Sequence, residues 1–70
     1  MTLREMRESV RLRQEDVSKK LDVDQSAVSN WERGTARPVR KYRKKLSRLY
    51  GVTPEELNAA IDAFGREDDA

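Results

Sequence analysis

The sequence predicts an all-α fold, five short helices packed as one compact domain around a single core. Two observations predict it. Apolar residues recur at three- and four-residue spacing, as in Val17/Leu21, Val28/Trp31 and Leu57/Ile61, so each segment has one apolar face. Between these segments stand helix starts (Thr2, Asp24, Thr53) and helix stops (Gly34, Gly51, Gly65).

The first helix is expected over Leu3 to Val10. Thr2 and Glu5 form a capping box, and Leu3, Met6 and Val10 are its buried stripe. Arg4, Arg7 and Arg11 are expected to face outward or toward its end, where cations suit the helix dipole. Leu12 anchors the link to a second helix, Gln14 to Leu21. That helix starts poorly, because Arg13 at the N-cap has no acceptor atom, and Glu15 and Asp16 in the first turn partly compensate. Ser18 is small enough to let another helix cross. The turn Asp22-Val23-Asp24 requires a positive φ at Asp22, which Asp tolerates better than most residues.

A third helix, Gln25 to Arg33, follows with Asp24 as N-cap and Val23/Val28 as a hydrophobic staple; Gly34 stops it. After the loop Thr35–Pro38, the fourth helix spans Val39 to Tyr50. It buries Val39, Tyr42, Leu46, Leu49 and Tyr50 and carries Arg or Lys nearly everywhere else. Thr53, Pro54 and Glu56 then start a fifth helix with the stripe Leu57, Ala60, Ile61 and Phe64, which Gly65 is expected to close. The domain is placed at residues 1–65, and residues 66–70 are read as a frayed acidic tail.

Composition removes whole classes of function. The chain has no cysteine and no histidine, which excludes a disulfide framework, a Cys/His zinc site and histidine-based catalysis. No cofactor or metal is expected. The scattered carboxylates are better explained as first-turn charges, so the chain is not read as an enzyme. No apolar run reaches membrane-spanning length, and a cytoplasmic, membrane-free protein is expected. The net charge of +2 hides an asymmetry: residues 1–50 hold fourteen Lys/Arg against seven Asp/Glu, and residues 51–70 one against six. The first part suits a polyanionic partner.

With its two central helices set in this frame, the chain resembles the phage repressor/Cro-like (XRE-like, lambda-repressor-like) helix-turn-helix family. The resemblance runs from Leu3 to about Leu57. It is carried by Leu12-x-Gln14-Glu15-Asp16-Val17-Ser18, Leu21-Asp22-Val23, the run Gln25-Ser26-Ala27-Val28-Ser29-Asn30-Trp31-Glu32-Arg33-Gly34, and Pro38. Two positions depart from the family pattern. Arg13 stands where a Ser or Thr cap is usual, and Asp22 where Gly is usual.

The resemblance implies double-stranded DNA as partner, with the third helix in the major groove and the second crossing the backbone. On that model Gln25, Ser26, Ser29 and Asn30 contact bases; Gln and Asn amides can pair with adenine N7 and N6. Arg13, Gln14, Arg33, Thr35, Arg37, Arg40 and Lys41 contact the sugar-phosphate backbone, with Gln14 also bracing the first side chain of the third helix. A transcriptional repressor, binding as a homodimer through the fifth helix and part of the fourth with Tyr50, is the leading reading. Trp31, at an apolar family position, is read as core. An antitoxin or a protein-interaction module that keeps the frame is the alternative.

Overall fold

The computed structural model describes the backbone of residues 1–69 and the side chains of residues 1–62. Its helices are α1 (Leu3–Ser9), α2 (Gln14–Leu21), α3 (Gln25–Arg33), α4 (Arg40–Tyr50) and α5 (Pro54–Asp69). No strand occurs among the described residues. The chain is thus the all-α, five-helix domain that the sequence predicts. α2 packs on α3, α4 packs on α5, and α1 touches α3, α4 and α5. The core draws on all five: Leu3 and Met6, Val17 and Leu21, Val28 and Trp31, Leu46 and Tyr50, then Leu57, Ala60 and Ile61. Leu57 is fully buried, and burying such a side chain contributes ~1.5–3 kcal/mol. Trp31 is core as expected, its ring tilted against Tyr42 of α4 at 5.8 Å. Phe64 lies outside the residues whose side chains are described.

One device ends the first four helices. In each, a residue in the left-handed region follows the last turn: Arg11 (φ 59), Asp22 (φ 58), Gly34 (φ 79) and Gly51 (φ 67). The next residue then donates its N–H to a carbonyl five positions back. These bonds are Leu12 to Arg7 at 3.2 Å, Val23 to Ser18, Thr35 to Asn30 and Val52 to Ser47, the last three at 3.0 Å. This is the Schellman closure, which satisfies carbonyls that a helix end leaves orphaned. Leu12, Val23 and Val52 are turned against the core by it.

The starts vary more. Thr2 accepts the Glu5 N–H at 3.1 Å while Glu5 accepts the Thr2 N–H at 2.8 Å, the full expected box, and these bonds hold the Glu5 carboxyl below its usual range. Thr53 caps α5 by accepting from Glu56 at 3.1 Å. At α2 only the reciprocal half is made: Asp16 accepts the Arg13 N–H at 2.9 Å, and the guanidinium has no acceptor to return. Asp24 has the extended N-cap backbone expected of it, but its side chain makes no cap bond.

Four expectations are corrected. Val10 caps α1 instead of continuing it, and Arg11 takes the positive φ. Val39 is the N-cap of α4 and 60% exposed, not on the buried face, because the extended backbone after Pro38 turns it out before the helix begins. α5 continues through Gly65. The residue after Gly65 is Arg66, which has no apolar side chain to close a Schellman turn, and a helical Gly costs only ~1 kcal/mol. Tyr50 is 4% exposed and belongs to the core, so it is no part of a surface for a second copy.

The positive-φ turns predict opposite responses to substitution. A Cβ at Gly51 would meet nothing within 4 Å, so Gly51→Ala should lose only the ~1–2 kcal/mol of left-handed backbone strain. Asp22→Gly relieves the same strain and should gain a few tenths of a kcal/mol or more, offset by unfolded-chain entropy. Thermal unfolding checks both. A lowered midpoint for Asp22→Gly would contradict the strained turn.

Candidate nucleic-acid interface

Val28 and Trp31 set the inward direction of α3. At about 100° per residue, Gln25, Ser26, Ser29, Asn30 and Arg33 then share roughly 140° of arc on the other side. Gln25, Ser26 and Arg33 are exposed; Ser29 and Asn30 are half-buried. All four predicted base-reading residues therefore share one face, and Asn30 and Ser29 stand beside predicted backbone-contact residues. Asn30 Oδ1 accepts from Arg33 Nη2 at 2.7 Å. Its backbone carbonyl takes the Thr35 N–H at 3.0 Å and the Thr35 hydroxyl at 3.3 Å. Ser29 joins Gln14 and Arg33, with Arg4, Arg7 and Glu32, around a groove of about 330 Å³.

Behind that groove stands an ion pair that the sequence reading missed. Arg7 was expected to face outward. Its side chain is only 12% exposed, and it donates from Nε to Glu32 Oε2 at 2.6 Å and from Nη2 to Glu32 Oε1 at 3.2 Å. Its Nη1 donates to the Leu12 carbonyl at 2.9 Å. Gln14 Nε2 adds a third donor to Glu32 Oε1 at 3.0 Å. This corrects the Gln14 brace: the amide holds the last turn of α3 through Glu32, not the first side chain of that helix. The Glu32 carboxylate raises the Arg7 pKa further above its usual value. Tyr50, nearby, is also pushed up, by burial first and by the Glu32 charge second.

A signal for this pair was present. Arg7 falls four residues after Leu3 and three before Val10, on the buried stripe of α1, and Glu32 falls four after Val28 on that of α3. Two opposite charges at inward positions of neighbouring helices suggest a partner for each.

The loop and α4 divide the remaining cations. Arg37 lies 3.7 Å from Asp62 of α5, with both side chains more than half exposed. Such a pair is weak and is readily exchanged for another anion. Arg40 is exposed in the first turn of α4, and Lys41 beside it sets its ammonium 5.3 Å from the Tyr42 ring centre. Arg43, another α4 cation, is structural: it donates to the Pro38 carbonyl at 2.7 Å and to Asn58 at 3.2 Å, tying α4 to α5. Arg13 is exposed at the start of α2.

Helix ends add to this field. Neither α3 nor α4 has an acidic residue in its first turn or a side-chain cap bond, and at α4, whose N-cap is Val39, the positive end of the dipole is uncompensated by the chain itself. The arrangement offers uncharged hydrogen-bonding groups along one helix, flanked by cations and open helix amino ends. It suits an extended polyanion with hydrogen-bonding edges. No helix among the described residues is long and apolar enough to cross a membrane.

A family model described as helix-turn-helix matches residues 3–57. No curated protein and no solved structure matches the chain.

Glu32→Ala leaves Arg7 without its carboxylate in a nearly closed site and should lower stability by about 3 kcal/mol or more. The double replacement Arg7→Met with Glu32→Leu should lose much less. Urea unfolding measures both. A loss under ~1 kcal/mol for Glu32→Ala would mark the pair as no stronger than a surface one.

Proposed function

Because the chain belongs to the phage repressor/Cro-like helix-turn-helix family, a family of DNA-binding regulators, we propose that it is a sequence-specific repressor whose α3 enters the major groove of a two-half-site operator. The chain is a DNA-binding helix-turn-helix regulator; operator reading, repression and dimerisation are the finer parts of the proposal. The observation that carries it is the outer arc of α3, where Gln25, Ser26, Ser29 and Asn30 stand together, four uncharged hydrogen-bonding side chains with Arg33 the one charge on the arc. A surface built only to stay soluble has no need of that. Base edges do, because they are read by paired donors and acceptors.

Gln25 stands at the first turn of α3, where its amide suits the N7 and N6 of adenine, and Ser26 beside it donates or accepts. The backbone contacts surround this row. Gln14 keeps one N–H for a phosphate at the amino end of α2, with Arg13 next to it. Arg33, Thr35 and Arg37 follow the recognition helix, and Arg40 and Lys41 bring two cations to the open amino end of α4. Phosphate oxygens at that end would meet N–H groups and positive charge together.

The reading of a dimer is supported by exposed Val39, which with Pro38, Pro54 and Leu57 forms the apolar side of a pocket of about 320 Å³ between α4 and α5, whose other side is Arg40, Arg43, Lys44 and Asn58. A second copy seated there would double the contacts of a module that alone reads only a few base pairs.

Fluorescence anisotropy of a labelled duplex against salt tests the proposal. The log–log slope should be steep, as expected when several phosphates are neutralised. Gln25→Ala should cost ~1–3 kcal/mol on the preferred sequence and little on a scrambled one, while Arg40→Ala weakens both alike and lowers the slope by about 1. Absence of salt-dependent binding at low ionic strength would point instead to a protein-interaction module.

A further inference from the structure

We infer that Arg33 sets which base Asn30 reads and turns that position of the interface toward guanine. This rests on the major-groove reading above. The starting point is the 2.7 Å bond from Arg33 Nη2 to Asn30 Oδ1, one turn apart on the exposed side of α3. A guanidinium carries donors and no acceptor, so the amide atom facing it is the oxygen. Chemistry fixes the orientation of the amide here. Asn30 is also anchored at its base, since Thr35 holds its carbonyl through both an N–H and a hydroxyl.

The consequence is a change in what Asn30 displays. An unpartnered asparagine offers a donor and an acceptor side by side, the pattern that matches adenine N6 and N7. With one of the two Oδ1 lone pairs taken by a cationic donor, Asn30 keeps a single acceptor position beside its N–H groups, and Arg33 adds more donors. Donors predominate on the composite edge. Guanine offers two adjacent acceptors, N7 and O6, in the major groove. The amino group of adenine or cytosine would have to share Oδ1 with the guanidinium, and thymine offers a single O4 beside a methyl group. Each of these bases leaves more of the edge's donors without an acceptor than guanine does, and a buried donor without an acceptor is penalised, so the edge favours guanine.

Gln25 differs. Among the described hydrogen bonds its amide has no intrahelical partner, and it keeps the adenine pattern. Two amides on one helix face thus read different bases. Arg33 acts here as a positioning residue for Asn30, beyond any phosphate it meets.

Selection of bound duplexes from a random pool, run with the wild type and with Gln25→Ala, Asn30→Ala, Arg33→Met and Arg33→Lys, tests this. One base position should lose its preference in Asn30→Ala, and in the wild type that position should be guanine, favoured over adenine by roughly tenfold. Arg33→Met frees Oδ1 and should move the preference to adenine by a similar factor. Arg33→Lys keeps a donor for Oδ1 and should retain guanine. Arg33 is exposed, so an unchanged unfolding midpoint is expected in both variants. Adenine at that position in the wild type, guanine retained in Arg33→Met, or no position lost in Asn30→Ala while Gln25→Ala loses one would overturn the inference. Full retention of every preference in both Gln25→Ala and Asn30→Ala would instead overturn the major-groove reading beneath it.

Discussion

The pairing of Arg7 with Glu32 is the constraint on which the arrangement of this small domain depends. One carboxylate at the end of α3 receives a forked guanidinium from α1 and an amide from the start of α2, while the same guanidinium holds the carbonyl of Leu12 in the link between them. Four segments meet at two side chains. Desolvating such a pair costs much of what its attraction returns, so its value lies less in net stability than in fixing one arrangement. Here that arrangement is the angle of α3. Among the described residues every buried side-chain polar atom has a partner, so the cluster leaves no orphan that would favour another packing.

The rest of the molecule divides the labour around that anchor. Apolar contacts from Val28 and Trp31 hold the inner face of α3, the clamp holds its last turn, and its first turns are left uncapped by side chains and open to solvent. The repeated left-handed stops make the connections short enough for a chain of 70 residues to keep five helices on one core. Charge follows the same division. Acidic groups sit at the starts of α2 and α5 and at the N-cap of α3, while the start of α4 carries none, so positive potential concentrates where the loop after α3 leads into α4.

Much of this was legible in the sequence. Helical spacing and caps located α2 and α3 to the residue, and the Asp22 turn was expected at a positive φ because its place between Leu21 and Val23 demands one. The outer arc of α3 followed from the same periodicity. What escaped has a common physical cause: side chains whose environment is set by another helix. Arg7 was assigned to solvent by its charge, although its register placed it on a buried stripe. Val39 was assigned to the core by its apolarity, although Pro38 delays the helix past it. Arg11 gives no local mark of a left-handed residue, since it lacks the short acceptor that makes Asp or Asn tolerant there. The Asn30–Arg33 bond lies between these cases, because the one-turn spacing is visible in the chain while the turning of Oδ1 toward the guanidinium needs the geometry.

Groove-specific methylation interference tests the central claim most directly, that the clamp presents α3 to the major groove. Methyl groups at guanine N7 obstruct the major groove, and those at adenine N3 obstruct the minor groove. Binding to the selected duplex should be blocked by N7 methylation at guanines within the site and indifferent to N3 methylation there. Interference confined to adenine N3, or none at either atom, would contradict the account.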